Sequence, residues 1–182
     1  MSSNSWGQLL ISALSDGSAL SNTTTPTSLL GGGHKYVLPA NLWKEDARPS
    51  LLIKASGRMS TAASTPGTFT FDVRFGSTVV FNGGASGTLA TSASNVTWKL
   101  EAILSPRAIG SGTSTTLLGT GTLTTAALSA TTPIMLLPTS SPAAGTGFDC
   151  TASHTVDLFG TWSAASASNT ITLHQYELWL SN

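Results

Sequence analysis

Cys150 is the chain's single cysteine and lies in the stretch GTGFDCTASH, with Asp149 before it and His154 four residues on. A cysteine nucleophile needs a base in line with its sulfur and a neighbour that lowers its pKa. On an extended loop, sequence neighbours are not aligned in that way, so the segment reads as a buried or loop thiol. One cysteine also excludes an intramolecular disulfide. The three histidines, His34, His154 and His174, lack the close spacing of a structural zinc site. His154 and His174 could still meet on neighbouring strands. The carboxylates are Asp16, Glu45, Asp46, Asp72, Glu101, Asp149, Asp157 and Glu177. A glycosidase would hold two of them at a fixed separation across a cleft. Most stand near a Lys or Arg on outward strand positions, and Asp72 with Arg74 and Lys99 with Glu101 read as solvated faces. LLGGGHK is glycine-rich but lacks the Gly-Lys-Ser/Thr ending of a phosphate loop, and reads as a hinge. No catalytic residue, metal site or cofactor is expected, and the chain is not expected to be an enzyme.

The elements that would have to position such groups are strands. TFTFDVRFG sets Phe69, Phe71, Val73 and Phe75 against Thr70, Asp72 and Arg74, a period of two. SLLIKASGRMS puts Leu51, Ile53, Ala55 and Met59 on one face. NVTWKLEAILS turns Val96, Trp98, Leu100, Ala102 and Leu104 inward, and Pro106 is expected to end it. Asn82-Gly83 is the preferred pair for a tight hairpin turn. Gly119 and Gly121 suggest a bulge or a close backbone approach. In NTITLHQYELWL the inward parity changes near Gln175, which a bulge there or a strand covered on both faces would explain. The tetrapeptide SASN occurs before two of these strands, ending at Asn95 and at Asn169. About eight strands follow Leu51, with turn residues between them and no long helix. The fold expected is all-β, a jelly-roll-like antiparallel β-sandwich over residues 51–182.

Residues 1–50 differ in composition. SNTTTPTS and LLGGGHKY bury little by themselves. Asn41 could cap one helical turn over LWKEDA before Pro49. The segment reads as an N-terminal arm and linker that becomes ordered on a neighbouring subunit.

The chain has 182 residues, of which 40% are apolar and only 9% charged, and its formal net charge is zero. Ordinary soluble proteins carry roughly 25% charged residues. Here Ser, Thr, Ala and Gly fill the difference. A surface of hydroxyls and methyls suits a protein lying against other subunits better than one kept in solution by charge. Without a basic stripe, neither nucleic acid nor a membrane surface is an expected partner. The beginning MSSNSWGQLL has no basic segment followed by a long apolar run, and no apolar run reaches membrane-spanning length. Synthesis in a host cytoplasm is expected.

YVLPANLWKEDARPSLLIKASGRMSTAASTPGTFTFDVRFGSTVVFNGG, with the later GTGFD, TVDLF and TITLHQYEL, resembles a recurring pattern in structural proteins of tailed-bacteriophage virions. The resemblance covers about residues 28–180. It implies a β-sandwich and a place in the virion, and carries no catalytic residue across. The expected role is capsid decoration: a cement protein on the capsid surface, as a homotrimer. Its partners would be the major capsid protein and sister subunits. Contacts would come from the arm, through Trp6, Leu9, Leu10, Ile11, Leu29, Leu30, Tyr36 and Trp43. The alternative is a receptor- or glycan-binding head of a tail fibre or spike. That alternative requires exposed aromatics and carboxylates in the loops near 83–95, 110–116 and 139–152.

Overall fold

Strands with apolar residues on alternate positions leave one face that must be covered, and two sheets cover each other. The computed structural model describes residues 7–129 and 132–182. Its strands in chain order are β1 (Gly7–Ser12), β2 (Leu20–Ser21), β3 (Thr27–Ser28), β4 (Tyr36–Leu38), β5 (Ser50–Ser60), β6 (Phe69–Phe75), β7 (Thr78–Ala85), β8 (Val96–Ala108), β9 (Thr116–Thr125), β10 (Ile134–Leu137), β11 (His154–Trp162) and β12 (Thr170–Ser181). Sheet A runs β1-β12-β5-β8-β9-β10, with β2 also paired to β12. Sheet B runs β3-β11-β6-β7, with β4 also paired to β11. All pairings are antiparallel. The protein is a jelly-roll-like antiparallel β-sandwich, and eight of its strands, β5 to β12, form the expected body.

The inward positions read from alternation lie in the core. Leu51, Ile53 and Met59 of β5, Phe69, Phe71, Val73 and Phe75 of β6, and Trp98, Leu100 and Leu104 of β8 are buried. Aromatic rings tie the layers together. Phe71 of sheet B meets Trp98 of sheet A with ring centroids 5.1 Å apart, and Phe69 packs edge-on to Trp162 at 4.7 Å. The bulge in β12 falls between Leu173 and Gln175, where the parity changes. Gly57 lies beside it, and a Cβ there would sit 1.9 Å from the Thr172 carbonyl oxygen. Gly119 is a close approach: a Cβ would meet the Phe81 ring at 2.1 Å.

Three local expectations are corrected. Asn82-Gly83 is not a turn; both lie inside β7, and the β6–β7 reversal is made at Gly76-Ser77, with Gly76 at φ +60°. Register shifts in that pair take up the irregular sequence. Pro106 does not end β8, which runs on to Ala108 through a register shift. A proline is tolerated at such an irregularity because no ladder N–H is required there. LWKEDA makes no helical turn: Lys44 and Ala47 exchange backbone hydrogen bonds of 3.0 and 3.1 Å in a tight reversal.

The larger correction concerns residues 1–50. Residues 7–50, the part of that segment the structure describes, lie on the body and do not extend from it as an arm. β1 and β2 add to β12, and β3 and β4 add to β11. Leu29, Leu30 and Trp43 are buried in the chain's own core, while Leu10, Ile11 and Tyr36 pack partly buried against it. Trp43 lies against Phe75 and Phe148, and its indole N–H donates to the Pro49 carbonyl at 2.8 Å. The physical reason is the edges of β11 and β12. Left bare, they would expose rows of unpaired N–H and C=O groups. Short pieces too weak to fold alone are sufficient to complete an existing sheet.

The two SASN copies take opposite roles. Asn95 is exposed, at φ +49°. Asn169 is fully buried: its Oδ1 accepts from the Ala62 N–H at 2.9 Å, and its Nδ2 donates to the carbonyls of Pro66 (3.0 Å) and Ala164 (3.1 Å). It ties the β5–β6 connection to the β11–β12 connection at one end of the sandwich. Asn169→Ala leaves those partners buried without a substitute and is expected to cost roughly 2–4 kcal/mol in urea unfolding, whereas Asn95→Gly stays within about 0.5 kcal/mol of the parent.

Candidate interaction surface

The groups that could do chemistry are placed apart or tied into structure. Cys150 is buried in the apolar cluster. Asp149 Oδ1 accepts from the Thr151 hydroxyl at 2.6 Å and the Thr151 N–H at 2.9 Å. Those bonds, with one from the Gly112 backbone, hold its carboxyl below the usual carboxylate range. The His154 ring bonds the Asp149 carbonyl and stacks on Phe75, centroids 5.5 Å apart. Among the described residues no hydrogen bond joins the thiol to a histidine. His34 Nε2 accepts from the Leu14 N–H at 3.3 Å, and His174 Nδ1 lies 2.8 Å from Asp16 Oδ1. Among the described residues there is no group of three or more His, Cys, Asp or Glu arranged to hold a metal. The Gly31-Gly32-Gly33 stretch, read as a hinge, enters a short 3-10 turn over Gly32–His34.

Asp72 is not on a solvated face. It and Asp157 are each 5% exposed on the outer side of sheet B. Arg74 donates to Asp72 at 2.9 Å and lies over the Phe159 ring, 4.2 Å from its centroid. Asp157, opposite Arg74 in register, takes Lys35 Nζ at 2.6 Å and the Ser28 hydroxyl at 2.6 Å. Ser28 and Lys35 come from the first fifty residues. Once those residues join the edge of β11, they cover a carboxylate that alternation alone leaves in water. Each buried charge has a partner, which makes this cluster a structural one.

The outer face of sheet A is different, and the register builds it. Leu9 of β1 stands opposite Trp179 of β12, Trp179 opposite Leu52 of β5, and Leu52 opposite Ile103 of β8. All four take the outward parity, giving one apolar row across four strands. Leu9 is 43% exposed and Ile103 42%; Trp179 and Leu52 are half-buried only by their neighbours. The row continues into a groove of about 710 Å³ lined by Ile103, Thr120, Leu136, Pro138 and Pro142. Leu136 and Ile134, on the edge strand β10, are 72% and 56% exposed.

Polar rows border it. On one side Glu177, Lys54 and Glu101 stand in register, over a depression of about 350 Å³ that Ser56, Lys99 and Gln175 also line. The Glu177 carboxylate accepts from the Trp179 indole N–H at 2.8 Å, which fixes the ring on the face. On the other side Ser181 stands opposite Ser50, and the Ser50 and Ser105 hydroxyls are 2.8 Å apart. Alternation along these strands identifies their inward residues and not this face. Its signal was present in Leu52, Ile103 and Trp179, apolar residues at outward parity.

Of the expected contact residues, Leu9 alone is both described and exposed on this face. Trp6 lies outside the described residues. Trp98 and Trp162 are fully buried, as their parity requires.

No family model matches the chain, and no curated protein matches it. Among solved structures, a peanut lectin with the 9-residue peptide PVIWSSATG is similar at 10% identity, with 98% of each chain covered and a TM-score of 0.43.

One buried group yields a pH test. Tyr176 faces the core, and its hydroxyl has no hydrogen-bond partner. Burial, and then the charge of Asp157, push its pKa above the ordinary tyrosine value. The native state therefore keeps the phenol neutral where the unfolded chain ionises. The stability this contributes is complete below about pH 10 and is lost as pH rises above it, by up to about 1.4 kcal/mol per pH unit. Tyr176→Phe is expected to match or exceed the parent in stability at pH 7. Its advantage should widen between pH 10 and pH 11 in urea denaturation.

Proposed function

We propose that the chain is a structural subunit of a phage particle, a decoration or cement protein on the shell, working through surface buried against neighbouring subunits. The observation that carries the reading is the apolar row on the outer face of sheet A. It lies on a chain with only 9% charged residues. Contiguous apolar surface of this kind marks an interaction site. The virion-like sequence pattern supports the same reading. The mechanism differs from the expected arm. An arm must be ordered on binding, and that costs free energy. A face already held by four paired strands is preorganised, so binding through it carries little ordering cost. In this role the protein resists internal pressure by contact area and performs no chemistry.

The alternative, a glycan- or receptor-binding head, relies on exposed aromatics in the loops near 83–95, 110–116 and 139–152. Their single aromatic is Phe148, which is 3% exposed, and the Asp149 carboxylate is held in its own turn. Copy number tests the two readings. Quantitative mass spectrometry and cryo-EM of purified particles should find hundreds of copies on the shell. A handful at the tail, or none, overturns the proposal.

A further inference from the structure

The row on sheet A leaves Leu9, Ile103 and Leu136 in water, and its two flanks differ in kind: charges on one side, serine hydroxyls on the other. We infer that a second copy of this chain covers this face, packed face to face about a twofold axis parallel to the apolar row. The inference deepens the reading above by naming the neighbour, and rests on it only for the expectation that the face is covered.

Three observations point to a second copy. The first is size. The five ladders joining the six strands pair five, eleven, nine, ten and four residues in turn, which at about 3.3 Å per residue and about 4.8 Å between strands gives a face of about 600 Å². That approaches the roughly 800 Å² per partner of a standard stable interface. The second is matching of apolar surface. With the axis parallel to the row, Leu9, Trp179, Leu52 and Ile103 meet the same row of the second copy, and isologous contact needs such self-complementarity. The third is charge. In that orientation Glu177, Lys54 and Glu101 lie over Ser181, Ser50 and Ser105 of the second copy, which offer hydroxyls. An axis along the strands would instead set Lys54 against Lys54 and Glu177 against Glu101. Such like-charge contacts disfavour that axis. The pattern therefore selects one axis. It also replaces the trimer expected from sequence with a twofold pair.

The test is sedimentation equilibrium of the full-length chain from 1 to 100 μM. A dimer is expected. Ile103→Glu should raise its dissociation constant at least about tenfold while leaving the circular dichroism spectrum unchanged. Leu52→Glu serves if the first variant folds poorly, and Val37→Glu, an exposed apolar position on β4, should leave the dimer intact. Orientation is read with a short bis-maleimide. Ile103→Cys, on the axis, should cross-link to itself. Arg58→Cys, about 20 Å along the strand from Leu52, should not. A monomer at 100 μM, a trimer, a dimer that both glutamate variants leave unchanged, or cross-linking at position 58 and not at 103 overturns the inference. A chain that is monomeric alone yet abundant on shells removes this inference and keeps the virion reading. A dimer absent from particles does the reverse.

Discussion

The contact between Phe71 on one sheet and Trp98 on the other is the centre on which the rest of the structure depends. Around it, Phe69, Phe75, Trp162 and Tyr176 fill the space between the layers with large rings, and leucines on β5, β8 and β12 complete it. Rings of this size bury much apolar area per residue and resist sliding. Register in a sheet cannot slip by one residue without turning every inward side chain outward. Fixing Trp98 inward therefore fixes Lys99 and Glu101 outward on the same strand, and fixes Ile103 with them. The external face of sheet A is a consequence of internal packing.

The same logic explains why two carboxylates of similar sequence setting have different fates. Glu101 remains in solvent on sheet A, beside Lys54 on the neighbouring strand. Asp157 occupies an equally outward position on β11, yet is buried under Ser28 and Lys35. A buried carboxylate without a partner would be strongly destabilising, so the covering segment must bring its own donors. Lys35 and Ser28 do so, and that pairing links the first fifty residues to sheet B electrostatically as well as by strand addition. Charge is scarce in this chain, and four of its sixteen charged side chains, Lys35, Asp72, Arg74 and Asp157, are paired on the covered side of sheet B.

A preformed face and a disordered arm are two solutions to one problem, that of holding a subunit in an assembly. The arm gives long reach at the expense of ordering entropy. The face gives short reach with little reorganisation, and it demands that the neighbour present a matching surface. This chain has committed its N-terminal residues to closing its own sheet edges. Among the described residues, the apolar row with its adjoining groove is a surface already shaped for contact.

The sequence by itself determined the layered β architecture, the inward residues of the body strands and the change of parity near Gln175, because a period of two is a local property visible in any run of residues. TFTFDVRFG needs no neighbour to be read as a strand. Tertiary structure alone decided that residues 7–50 belong to the sheets, since GQLLIS or YVL becomes a strand only when β12 or β11 supplies its hydrogen bonds. It alone decided that Asn82-Gly83 runs through a strand, that one SASN asparagine is a buried tie and the other a surface turn, and that Asp72 and Asp157 leave water. It alone aligned Leu9, Trp179, Leu52 and Ile103, four residues distant in sequence, into one surface. The physical reason is common to all of these: pairing between strands remote in the chain sets the register, and no local window of sequence contains both partners.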